Sequence, residues 1–203
     1  MPTAKTKPAP ARRNIQYEKR LASILKAAAK VIARDGFEGA SVRKVASAAG
    51  INLSGIYYYF KSKEELLFAL QKHTFSTLVQ ALDKKLKNID APEQKLKAVI
   101  DNHFQFFAAN LNDLKVCVHE IESLTGGYYN EILKIRQKYF RLVRGVVAEN
   151  MRSAGRYHIN LSALFLFGSM NWIYMWYDPK KNAGIDGLSK QLLKMQLHGI
   201  STS

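Results

Sequence analysis

Apolar residues recur along this chain at spacings of three and four almost from end to end, the period of helices that each bury one face. Leu21, Ile24, Leu25, Ala28, Val31 and Ile32 form one such stripe and predict a first helix over Ile15 to Arg34, with Gly36 as its stop. Ser41 is placed to cap a short helix from Val42 to Ala49, Gly50 breaks it, and Asn52 is placed to cap a third through Ser54 to Phe60. Ser62 to Glu65 has the Ser-x-x-Glu spacing of a capping box. A fourth helix should therefore start there, carrying Leu66, Leu67, Leu70, Leu78, Leu82 and Leu86. Pro92 suits the first turn of a fifth, which runs to about Asn110.

Further segments follow at Leu114 to Ser123, Tyr128 to Ser153, Leu161 to Tyr177 (with Asn160 as its cap), and from Asp186 to near Gly199. No strand-length alternation and no internal repeat is visible. The fold class is all-α with about nine helices. The Leu161–Tyr177 segment, LSALFLFGSMNWIYMWY, is apolar on most sides but carries Ser162, Gly168, Ser169 and Asn171. It reads as a buried helix rather than a membrane span. Residues 1–14, MPTAKTKPAPARRN, hold basic residues and three prolines without an apolar run. They read as a disordered basic arm, not a signal peptide.

Charge narrows the function. The chain carries 31 Lys and Arg against 16 Asp and Glu, a net of +15. Residues 1–75 hold 14 of those basic side chains and only 5 acidic ones. A basic N-terminal third points to a polyanion, either nucleic acid or an anionic membrane surface. The membrane reading would need one continuous basic amphipathic helix, and the first helix is not basic enough on one face to supply it. The single cysteine, Cys117, excludes a disulfide framework and a four-cysteine zinc site, and a reducing compartment, the cytoplasm, is the simplest home. His103, His119, His158 and His198 show no metal-ligand spacing and read as satisfied polar helix residues. No nucleophile elbow, P-loop or dinucleotide fingerprint is present, so neither an enzyme, a cofactor nor a metal is expected.

The region from Ser41 to Lys63, SVRKVASAAGINLSGIYYYFKSK, carries the chemistry. Two short helices meeting across Gly50-Ile51 make a helix-turn-helix, whose second helix enters the DNA major groove. Ile56 and Phe60 would pin that helix to the core, leaving its start free for base edges. The candidate DNA contacts are Ser41, Arg43, Lys44, Asn52, Leu53, Ser54, Gly55, Tyr57, Tyr58, Tyr59, Lys61 and Lys63. The cations, Ser41 and the tyrosine hydroxyls would meet phosphates or bases. A non-specific architectural nucleic-acid binder is the alternative, motivated by net charge alone.

On these motifs, residues 15–70 resemble the TetR family of bacterial transcriptional regulators. The matching stretches are Asp35-Gly36-Phe37, Ser41-Val42-Arg43-Lys44-Val45-Ala46, Ala49-Gly50-Ile51, and Ile56 through Leu66. The family often has histidine where Tyr59 stands and a threonine-like residue where Gly55 stands. The resemblance implies a homodimeric, mostly repressive regulator of double-stranded operator DNA. Its DNA-binding domain would span residues 15–62, and residues 63–203 would form a helical ligand-binding and dimerisation domain. The segment from Phe167 to Pro179, with Arg136, Tyr139 and Phe140 upstream, resembles regulators of fatty-acid and acyl-CoA metabolism. A small hydrophobic or acyl ligand is expected against Phe104, Phe107, Tyr139, Trp172 and Trp176, with Arg136, Arg141 and Asn171 for its polar head. The two C-terminal helices are expected to pair across the dimer axis, where Gly168 permits close approach.

Overall fold

A computed structural model of the chain describes residues 10–151, 155–178, 180 and 184–199. Among them there is no strand, and ten helices follow one another. They are α1 (Pro10–Gly39), α2 (Val42–Ala48), α3 (Leu53–Tyr57), α4 (Lys63–Leu86), α5 (Pro92–Ala109), α6 (Leu111–His119), α7 (Gly126–Asn150), α8 (Arg156–Asn171), α9 (Ile173–Trp176) and α10 (Ile185–His198). The residues group into two compact units that divide inside α4, between Leu70 and Gln71. The expected border at 62/63 falls at the start of that helix, so the unit boundary lies about two turns further on.

The first unit is built on caps and one buried stripe. Ile24, Ala28, Val31 and Ile32 of α1 are buried with Val45 and Ala46 of α2, Ile56 of α3, Phe60, and Leu66 and Leu67 of α4. At Gly36 the backbone leaves the helix with φ 71, a left-handed value that glycine takes without a Cβ clash. At the start of α4 the Ser62 hydroxyl accepts from Glu65 N at 3.0 Å, as a capping box requires. The Glu65 carboxylate reaches back one residue further than in that motif and accepts from Lys61 N. The expected disordered arm 1–14 is corrected over residues 10–14, which belong to α1. Pro10 fits a first helical position, and Ala and Arg are strong helix formers. Residues 1–9 lie outside the described set.

In the second unit α5 is the central helix, lying against α6, α7, α8 and α10. Its buried face carries Leu96, Val99, Ile100, His103, Phe104 and Phe107. Polar side chains tie its neighbours together. The Asn102 amide donates to Leu78 O of α4, the Asn150 amide to Pro92 O, and the Arg136 guanidinium to Cys117 O. The expected Leu161–Tyr177 helix starts earlier and is interrupted: α8 begins at Arg156 with Gly155 as N-cap, and α9 is a single turn beyond Trp172. Asn160 does not cap, because its side-chain oxygen lies inside α8 and accepts from Arg144 Nε. No helix among the described residues is long and apolar enough to cross a membrane.

Candidate DNA interface and ligand cavity

The helix-turn-helix is organised by short-range hydrogen bonds. Ser41, in extended backbone, accepts from Lys44 N at 3.2 Å and starts α2. The turn passes through Gly50 at φ 63, where a Cβ would be strained, and Ile51 N returns to Ala46 O. Asn52 then caps α3, its Oδ1 accepting from Gly55 N at 2.8 Å. A Cβ on Gly55 would stand 2.9 Å from that same oxygen, so a side chain here would make the Asn52 cap shift. Ile56 and Phe60, both buried, hold α3 down. Outward stand Leu53, Tyr57 and Tyr58, the last 76% exposed. Asn52, Ser54, Ser41, Arg43 and Lys61 are exposed as well. Exposed together around one short helix, Leu53, Tyr57 and Tyr58 suit a contact surface.

Other members of the expected set are engaged within the fold. Lys63 Nζ donates to Phe37 O at 2.8 Å and sits over the Phe37 ring at 4.2 Å, closing the end of α1. It therefore ties the start of α4 to the end of α1. Lys44 Nζ bonds the Asp35 carboxylate and Gly39 O. Arg34 and Lys44 together hold the Asp35 carboxyl far below the usual carboxylate range. Tyr59 is half-buried and stacks on Tyr17 at 4.9 Å, with burial raising its hydroxyl pKa. Sequence spacing does not mark Tyr17 and Arg20 as part of this surface. With Lys19, Tyr58 and Tyr59 they border an open groove, and Arg20 reaches Gly50 O at 3.4 Å. Only tertiary contact brings this part of α1 to the recognition turn.

The second unit holds a half-open cavity of about 370 Å3. Phe75 of α4, His103 and Phe107 of α5, and Leu114 and Cys117 of α6 form one side. Arg136, Tyr139 and Phe140 of α7, with Leu164, Phe167 and Asn171 of α8, form the other. The volume and the apolar wall with few polar groups are those of a small-molecule site. His103 stacks near Phe107 at 4.7 Å and parallel to Tyr139, whose hydroxyl lies 3.3 Å from Nδ1. Burial lowers the His103 pKa to about 3, with Asn171 pulling weakly the other way. Burial also pushes the Cys117 thiol up to about 12, which leaves it an inert wall residue. Arg136 spans Phe75 at 5.2 Å, and its burial lowers the guanidinium pKa.

Comparison with known proteins joins these two sites in one family. Residues 24–70 match the domain described as bacterial regulatory proteins, tetR family. Residues 90–200, more than half of the chain, match the tetracyclin repressor-like, C-terminal domain. The chain belongs to the TetR family. It is a DNA-binding transcriptional regulator whose helix-turn-helix lies in the first unit. The fatty acid metabolism regulator protein of Bacillus subtilis is 26% identical over 87% of this chain and 93% of its own length. The crystal structure of FadR from Bacillus subtilis in complex with stearoyl-CoA superposes with TM-score 0.71 at 26% identity, over 89% of this chain and 99% of that one. A TetR-family regulator from Bordetella parapertussis shares the fold with TM-score 0.84 at 21% identity, over 90% and 97%.

In this TetR regulator, four of the expected ligand residues stand on the cavity wall: Phe107, Arg136, Tyr139 and Asn171. The other four do not. Phe104 is buried in the core behind the wall. Arg141 is five positions from Arg136, about 140° round α7, and is exposed. Trp172, at the junction of α8 and α9, and Trp176, at the end of α9, are 57% and 46% exposed. His103 corrects the expectation of satisfied histidines, since its Nε2 is buried without a partner. The sequence signal for it was its position four before Phe107 on the apolar face of α5.

Proposed function

We propose that the protein is a cytoplasmic, homodimeric repressor that leaves its operator when a small hydrophobic or acyl ligand fills the second-unit cavity. The observation that carries this reading is an aromatic-walled cavity of about 370 Å3 in the unit that does not hold the helix-turn-helix. The relative crystallised with stearoyl-CoA supports an acyl ligand. The protein acts by binding, not catalysis. Ser41, Arg43, Asn52, Leu53, Ser54, Gly55, Tyr57, Tyr58 and Lys61 form the DNA-facing set, with Lys44 and Tyr59 at its edge. Ligand must favour one of two states that differ in operator affinity, by a typical factor of about 5–150. Fluorescence anisotropy of labelled operator, titrated with acyl-CoA, free fatty acid and an unrelated hydrophobe, tests this. No shift at micromolar ligand sinks the acyl reading. Equal affinity for operator and random duplex at every salt would favour the architectural alternative.

The dimer rests on a separate observation. Leu164 and Phe165 of α8, Trp172 at the α8–α9 junction, Met175 and Trp176 of α9, and Met195 of α10 are exposed at 43–71%. An apolar surface this rich marks an interface, and a two-fold axis would seal it. A Cβ placed on Gly168 meets nothing within 4 Å, leaving room for the partner helix to approach. Gly168→Trp should convert the dimer to monomer by size exclusion with light scattering. A dimer that survives that change lies elsewhere.

A further inference from the structure

The start of α1 runs past the core of the first unit. Its buried stripe begins at Ile24, and residues 14–20 are all exposed. This overhang is nevertheless tied to the helix-turn-helix. Tyr17, about two turns before Ile24, stacks on Tyr59 at 4.9 Å and meets the edge of Tyr58 at 6.5 Å. Arg20 donates to Gly50 O, the carbonyl at the recognition turn. Between the two elements lies an open groove, with Gln16, Lys19, Arg20 and Ser23 of α1 on one side and Tyr58 and Tyr59 on the other. Positions 16, 19, 20 and 23 share one helix face, so their polar ends converge there.

The charge in this groove is of one sign. Its lining holds two cations and, among the described residues, no carboxylate. Other cations of the unit are spent inside the fold: Arg34 and Lys44 on Asp35, and Lys63 on Phe37 O. Arg20 gives one N–H to Gly50 O, and a guanidinium has five. A recognition helix in the major groove has a phosphate strand on each side, so a surface element beside it meets that strand. Tyr58 belongs to both surfaces: it is 76% exposed beside α3 and also lines the groove. Its ring is braced edge-on by Tyr59 at 5.1 Å, and Tyr59 by Tyr17. We propose that the groove seats a backbone phosphate of the bound DNA, held by Lys19 and Arg20, and that Tyr17 is a positioning residue that sets the Tyr58 ring through Tyr59. The DNA-binding surface then extends from α2 and α3 onto the start of α1.

The test uses the full-length protein and a duplex that it selects from a random pool, with affinity followed by fluorescence anisotropy across salt. Lys19→Ala and Arg20→Ala should each reduce the slope of log affinity against log salt by about 0.9, while Lys138→Ala, exposed on α7 of the second unit, should leave it alone. Wild-type slopes in both α1 variants overturn the phosphate site. Single methylphosphonates placed along the duplex then locate the contact. One neutralised phosphate should weaken binding by the wild type and cost nothing further in Lys19→Ala. Equal costs in both proteins at every position overturn a direct contact. Tyr17→Ala should weaken binding about fivefold, the worth of one ordinary hydrogen bond, and Tyr17→Phe, which keeps the ring, should restore it. In a Tyr58→Ala background the same Tyr17→Ala change should cost little. A loss that persists there undiminished, or no loss in the single variant, overturns the positioning role. The Lys19 results stand even if Tyr17→Ala does not fold.

Discussion

The helix-turn-helix unit and the cavity unit use polar groups in opposite ways. In the first, each functional turn is closed by a side chain from within a few residues: Ser41 on Lys44 N, Asn52 on Gly55 N, Ser62 on Glu65 N. Tyr57 and Tyr58 are left outside, with apolar Ile56 and Phe60 beneath. In the second, the polar groups that matter come from separate helices. Asn102 and His103 of α5, Tyr139 and Arg136 of α7, and Asn171 of α8 meet only when the bundle is packed, and one nitrogen stays unpaired. A surface that must offer a fixed shape to DNA is stiffened locally. The cavity unit instead leaves one ring nitrogen of His103 in its wall outside any short-range pairing.

The strongest way to break the first half of this comparison is to remove its packing. Ile56→Ala, at a fully buried position, should cost about 2–5 kcal/mol. It should abolish operator binding by anisotropy, whereas a variant that still binds would mean that α3 is held by its caps alone. The next effect belongs to the cavity unit and reads out with pH. His103 has its pKa lowered from 6.5 to about 3 by burial, so the unfolded chain takes up a proton that the folded one refuses. The stability that this provides is complete above about pH 6.5 and declines as pH falls toward 3. The facing groups, Tyr139, Asn171 and Arg136, add no carboxylate to offset it. Urea melts from pH 7 to pH 4 should show less decline in His103→Leu than in wild type, and parallel curves would count against a neutral buried ring.

Smaller effects sharpen the comparison at single bonds. Gly55→Ala should cost about 1 kcal/mol through the Asn52 cap, since its Cβ crowds the capping oxygen. Thermal unfolding followed by circular dichroism would measure it, and no change would mean that the cap shifts freely. The smallest effect separates two lysines two residues apart. Lys61→Ala should reduce the slope of log affinity against log salt by about 0.9, as one lost phosphate contact does. Lys63→Ala should leave the slope alone and lower stability, because Lys63 holds Phe37 O. Identical slopes for both would return Lys63 to the DNA surface.

The sequence by itself determined the helical class, the recognition motif and the caps that start α2, α3 and α4. These depend on residue pairs no more than four apart, such as Asn52 with Gly55, whose geometry the chain imposes locally. It also marked the basic N-terminal third and the aromatic richness of the rest. Only the tertiary structure decided which of those aromatics face a cavity. Phe107 and Tyr139 do, while Trp172 and Trp176 stand exposed and Ile173 between them is buried. It likewise set Lys63 Nζ against Phe37 O at the end of α1, and buried His103 with no hydrogen-bond partner for Nε2. The physical reason is the same in each case. Helical period tells which side of an element is apolar, but a side chain's partner comes from another element that sequence spacing does not name.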